Sequence, residues 1–154
     1  MHTLGRHLIA ELYGCDPAAL DDLAGVRGAL EQACRDIGAT ALQVVAHRFA
    51  PQGVTATVVI AESHLAIHTW PEHGYAAVDF FTCGDLDPRP GLPALHRALA
   101  ARAQRVEEIA RGIDAHVQAG AAVLPRDVRR MASLSELQPL PGPARPGRDA
   151  DPEG

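Results

Sequence analysis

The sequence predicts an α+β fold: a two-layer sandwich whose largely antiparallel sheet carries two helices on one face. Three observations point there. The elements run in the order β-α-β-β-β-β-α-β, the central strands are joined by connections of hairpin length, and the helical stretches are apolar along one side. At 154 residues, with 47% apolar and 21% charged residues, the chain has about the size of one domain with one core.

Residues 7–13 (HLIAELY) read as the first strand, closed by Gly14. Asp16-Pro17 then supplies a helix N-cap and a proline for the first turn. Leu20, Leu23, Val26, Leu30, Cys34 and Ile37 follow at steps of three or four, the apolar stripe of a helix that Gly38 ends. Residues 40–49 and 54–61 read as strands around the turn Pro51-Gln52-Gly53. Residues 64–70 and 75–83 are two more, around Pro71-Glu72-His73-Gly74. A second helix is expected from Leu92 to Gln104, with Leu92, Leu95 and Leu99 on one side. Residues 106–111 fit either a short strand or a continuation of that helix. From Pro139 onward eight of sixteen residues are Pro or Gly, so 139–154 is expected to be a disordered tail behind a C-terminal extension over 116–138. The domain proper is expected over 1–115.

Composition excludes several kinds of chemistry. A net charge of −5 argues against a nucleic-acid partner. All 14 basic residues are arginine, so neither a lysine Schiff base nor a P-loop lysine is available. Cys15, Cys34 and Cys83 are odd in number and widely spaced, which fits neither a disulfide framework nor a CxxC zinc site. No stretch reaches the length of a membrane span and the first residues lack a long apolar run, so a soluble, cytoplasmic protein is expected.

Chemistry is concentrated in the middle of the chain. Five of the six aromatic residues lie between Phe49 and Phe81, among His47, His64, His68, His73 and Cys83. Strand alternation puts His64, Ala66, His68 and Trp70 on one face, and Tyr75, Ala77, Asp79, Phe81 and Cys83 on one face of the next strand. The residues alone leave three readings open: a half-buried sheet with satisfied histidines, a metal site, or a catalytic site. The spacing HxxxHxxxxH with a distant cysteine matches no standard ligand set, so no metal is expected.

Read in order, Ala61–Gly84 is AESHLAIHTWPEHGYAAVDFFTCG. This run closely resembles the processing and active-site segment of the short prokaryotic S-adenosylmethionine decarboxylases, pyruvoyl enzymes made as proenzymes. The resemblance includes GRHLIAELYGC (Gly5–Cys15) and FAPQGVT (Phe49–Thr55), fades after Arg111-Gly112, and spans about three-quarters of the chain. It implies that Ser63 attacks the carbonyl of Glu62, turning the peptide bond into an ester. Elimination then frees residues 1–62 and leaves a pyruvoyl group at the start of residues 63–154. That group forms a Schiff base with the substrate and is an electron sink built without lysine.

The resemblance further implies that His68 moves a proton during processing, a task suited to an imidazole with a pKa of about 6.5. It implies that Cys83 protonates the substrate carbon after carbon dioxide leaves; an ordinary thiol, with a pKa of about 8.5, carries that proton at neutral pH. Phe49 and Trp70 match positions near the adenine of S-adenosylmethionine, Glu72 a position for the ribose hydroxyls, and Thr55 one where the family commonly has serine. A homodimer of cleaved protomers, with sites where two sheets meet, and a product feeding spermidine synthesis are implied likewise. Two other readings keep the scaffold: a pyruvoyl-dependent ornithine or arginine decarboxylase, and a non-catalytic regulatory homologue. Phe49, Trp70 and Glu72 speak against the first, Ser63 and Cys83 against the second.

Overall fold

The structure is a computed structural model, and it describes residues 3–113. Its elements are β1 (Thr3–Tyr13), α1 (Pro17–Leu20), α2 (Leu23–Asp36), β2 (Ala41–Arg48), β3 (Val54–Ile60), β4 (Ser63–Trp70), β5 (Tyr75–Cys83), α3 (Leu92–Ala98) and β6 (Ala103–Ile113). The strands form one sheet in the order β2-β3-β4-β5-β1-β6, antiparallel at every pairing. The α+β sandwich expected from the sequence is the fold observed. The segments 116–138 and 139–154, expected as an extension and a tail, lie outside the described residues. No helix among the described residues is long and apolar enough to cross a membrane.

Two local expectations change, and one left open is resolved. The first helix is two helices, because Asp22 caps a new one: its carboxylate accepts from the Ala24 N–H, as that of Asp16 accepts from Ala18. The second helix stops at Ala98, where Ala100 takes a positive φ of 50°, and does not reach Gln104. Residues 106–111 are strand rather than helix, paired with β1 from Thr3↔Ile113 to Tyr13↔Ala103.

One face of the sheet is buried under the helices. Leu8, Leu12, Val58, Leu65, Ile67 and Phe80 are inaccessible or nearly so and pack with Val26, Leu30 and Leu95 into one core. Such a core position is costly to empty: truncating a buried phenylalanine costs about 3–5 kcal/mol. Among the described residues no helix covers the opposite face, which carries His64, His68 and Trp70 of β4 and Tyr75, Asp79 and Phe81 of β5.

Candidate active site

The first group of predicted residues lies at the β3–β4 hairpin. Ile60 pairs with Ser63, so Ala61 and Glu62 form the turn between them. Ordinary alternation would turn Ser63 inward with Leu65 and Ile67, because its cross-strand neighbours Ile60 and Thr82 are both buried. Instead Ser63 has φ 142°, a value that side chains other than glycine rarely adopt and that costs about 1–3 kcal/mol. That twist brings the Ser63 hydroxyl to 3.3 Å from Nδ1 of its own neighbour, His64. Residues adjacent in a regular strand point to opposite faces and cannot meet in this way.

The peptide bond preceding Ser63 is held on its other side. The backbone N–H of Cys83, at the end of β5, donates to the carbonyl oxygen of Glu62 at 2.9 Å. The Glu62 carboxylate accepts from the Thr40 N–H at 3.2 Å. A hydroxyl therefore follows a carbonyl whose oxygen already rests on a hydrogen-bond donor, an arrangement that favours charge developing on that oxygen. The Cys83 side chain is exposed beside it, whereas Cys15 and Cys34 are buried and burial pushes both thiols up.

A second group of predicted residues gathers at the other end of β4. Thr55 Oγ1 lies 2.9 Å from His68 Nδ1. With Phe49, Gln52, Trp70 and Glu72 they line a cleft of about 320 Å³. Trp70 packs on Tyr75 at 5.2 Å between ring centroids, and the Gln52 amide donates to the Glu72 carboxylate at 3.1 Å. The loop carrying Phe49 and Gln52 is tied down from below. Arg48 pairs with Asp21, and the Gly53 N–H donates to the same carboxylate at 2.9 Å. The Arg48 guanidinium first, and that N–H second, hold the Asp21 carboxyl below its ordinary range. Gly53 has φ 101° and passes so close to the Thr69 carbonyl that a Cβ would sit 3.0 Å from its oxygen. Tyr75 donates to Glu11, and burial followed by that carboxylate pushes the phenol up.

The two groups are far apart within one chain. Ser63 and His68 stand at opposite ends of the same straight strand, five residues apart, which at ~3.3 Å per residue is about 16 Å. Glu62, Ser63 and Cys83 thus form one cluster; Phe49, Thr55, His68, Trp70 and Glu72 form another.

The segments that carry this geometry also carry the chain's likeness to known proteins. Residues 6–112 match the family model for S-adenosylmethionine decarboxylase. The S-adenosylmethionine decarboxylase proenzyme of Caldanaerobacter subterraneus subsp. tengcongensis is 50% identical over 114 residues, covering 73% of this chain and 92% of that protein. The proenzyme of the same name from Methanococcus aeolicus is 50% identical over 113 residues, covering 97% of that protein. The crystal structure of the adenosylmethionine decarboxylase from Aquifex aeolicus superposes with a TM-score of 0.68 at 37% identity, covering 73% of this chain and 94% of that one. The chain belongs to the S-adenosylmethionine decarboxylase family.

The sequence singled out Ser63, His68, Cys83 and the cleft residues as candidates; the structure places three further residues beside them. His64 stood in the motif without a role, although it directly follows the serine. Gln52 and Asp21 gave no signal, since one reads as a turn residue and the other lay inside the stretch expected as a single helix. Only the folded chain brings Asp21 against Gly53, thirty-two residues away.

Proposed function

We propose that this chain is a pyruvoyl-dependent S-adenosylmethionine decarboxylase that makes its prosthetic group from Ser63 by cleaving the Glu62–Ser63 bond. The observation that carries the reading is the strained Ser63, its hydroxyl beside an imidazole and the preceding carbonyl on the Cys83 N–H. The surroundings fit the group. The His64 ring flanks the position, and the Cys83 N–H becomes a free donor once the Glu62 carbonyl has left. Standing at the new N-terminus of β4, the pyruvoyl group supplies the electron sink for the carbanion that loss of carbon dioxide creates.

The remaining work falls to this chain's own residues. The exposed Cys83 thiol gives a proton to the substrate α-carbon. Phe49 and Trp70 offer flat faces to the adenine and π-electrons to the sulfonium. Glu72, oriented by Gln52, accepts from the ribose hydroxyls. His68, oriented by Thr55, moves a proton during maturation.

This assignment requires a second copy. A His68 about 16 Å from Ser63 in its own chain cannot serve it, so a homodimer must bring His68 of the partner subunit to Ser63. The bare sheet face supports such pairing, since Tyr13, Val45, Val59, Trp70 and Ile109 are exposed there. The product would serve as aminopropyl donor for spermidine in the cytoplasm.

The test is carbon dioxide release from carboxyl-labelled S-adenosylmethionine, ornithine and arginine, with an intact mass of the purified protein. The expected result is two fragments, a hydrazine-reactive carbonyl on residues 63–154, and release from S-adenosylmethionine alone. Uncut protein with full activity would overturn the mechanism; release from ornithine or arginine alone would overturn the substrate.

A further inference from the structure

We infer that His64 is the catalytic base of the first maturation step, taking the Ser63 hydroxyl proton as that oxygen attacks Glu62. The inference rests on the reading of Ser63 as the self-cleavage residue, and it assigns a proton acceptor that lies within the same chain. The hydroxyl stands 3.3 Å from His64 Nδ1. Within this chain His68 is at the far end of the strand, hydrogen-bonded to Thr55.

The His64 ring is held for this task. It lies parallel to the Phe81 ring, with centroids 5.9 Å apart and planes 7° from parallel. Phe81 is itself held: the His7 ring meets it edge-on at 5.4 Å, and the Arg111 guanidinium lies 5.5 Å from its centroid. His7 is fixed in turn by Asp79 at 3.1 Å on one nitrogen and by Arg111 at 3.1 Å on the other. The plane of the His64 ring runs parallel to that of Phe81, and its Nδ1 edge faces the serine hydroxyl. The strain at Ser63 acquires a purpose as well, because only the positive φ places its hydroxyl within reach of residue 64.

The step balances without an outside reagent. The Oγ–H proton passes to Nδ1 while Oγ bonds to the carbonyl carbon of Glu62, whose oxygen gathers negative charge against the Cys83 N–H. The carbon–nitrogen bond then breaks, and the Ser63 nitrogen takes the proton back from the imidazolium. Amide has become ester, with no change in oxidation state.

The experiment follows maturation of freshly synthesised full-length precursor in wild type, His64→Ala and His64→Asn, with melting curves for each. Asparagine places a hydrogen-bonding amide near the Nδ1 position but has no basicity, so it separates proton transfer from hydrogen bonding. General-base removal slows a step by about 10²–10⁴-fold, so both variants are expected to stay uncut over times in which wild type matures fully. Their uncut chains should resist neutral hydroxylamine, which cleaves an ester and spares an amide. Added imidazole should speed His64→Ala in proportion to its concentration. If His64→Ala does not fold, His64→Asn alone decides.

Cleavage at the wild-type rate in either folded variant would overturn the role of His64 and leave the Ser63 reading intact. Accumulation of hydroxylamine-cleavable chain would overturn it too, by placing His64 after the acyl shift. A wild type that never cuts would remove the Ser63 reading itself.

Discussion

The backbone N–H of Cys83 reaches the carbonyl oxygen of Glu62 at 2.9 Å, while the side chain of the same residue is exposed. On the proposed mechanism one residue offers two groups to two stages of the chemistry, and only one of them belongs to the side chain. Cys83→Ala keeps the N–H. It should mature at close to the wild-type rate yet lose decarboxylation by about 10²–10⁴-fold, the usual contribution of a positioned acid. Fragment analysis and labelled carbon dioxide release read the two stages separately. Wild-type turnover in this variant would show that another group protonates the substrate carbon.

The distance along β4 makes a sharper prediction. Ser63→Ala and His68→Ala chains should each remain uncut when made alone. When the two are produced together, mixed dimers pair the intact Ser63 of one chain with the intact His68 of the other. Cleavage should then appear, confined to the His68→Ala chain, and differently tagged chains read this directly. If co-production restores nothing although mixed dimers form, the site is not shared between subunits.

How much of this was legible in the sequence follows from what each residue depends on. The strands of the β2–β5 meander and their faces were readable because alternation and turn residues are local properties. His64, Ala66, His68 and Trp70 do lie on the face away from the helices, with Leu65 and Ile67 fully buried on the other. The end of α3 and the nature of residues 103–113 were not readable. β6 is exposed along its described length and carries charges on both faces, so its strand character comes from pairing with β1 rather than from its own pattern. The candidate site residues stood out through a long motif, but their division into two clusters did not, because spacing along the chain becomes distance only once the residues are known to share one unbroken strand. The φ of Ser63 had no sequence signal at all.

Substrate recognition can be weighed at the cleft. An aromatic partner contributes about 0.5–1.5 kcal/mol beyond its area, and a hydrogen bond to a charged group about 1.5–3 kcal/mol. With 1.4 kcal/mol equal to a factor of ten, Glu72→Gln should weaken use of S-adenosylmethionine by about one to two powers of ten, and Trp70→Ala by about 2–12-fold. The loss should fall mainly on KM, since on the proposed reading both residues hold the nucleoside and not the reacting carbon. Gln52→Ala should follow in the same direction with a smaller effect, because it acts by holding the Glu72 carboxylate. Maturation should proceed normally in all three, as the substrate is absent when it occurs. Steady-state kinetics on fully cleaved protein decides. Unchanged KM in Trp70→Ala and Glu72→Gln would remove the cleft from the binding site.

The strain at Ser63 is itself measurable, provided the covalent state is held constant. Ser63→Ala and Ser63→Gly both lack the hydroxyl, so both should remain uncut and can be compared as full-length chains. In an ordinary strand position glycine is the less stable choice by about 0.5–1 kcal/mol, because its unfolded chain is freer. At φ 142° the balance reverses: alanine keeps a strain of about 1–3 kcal/mol that glycine does not feel. Ser63→Gly should therefore melt no lower than Ser63→Ala, and up to several degrees higher, since about 1 kcal/mol moves the midpoint of a domain this size by a few degrees. Ala66→Gly, three residues along the same strand, supplies the control and should melt lower than its parent. A Ser63→Gly midpoint clearly below that of Ser63→Ala would show that the backbone at Ser63 is relaxed, and that the hydroxyl reaches His64 by some other route.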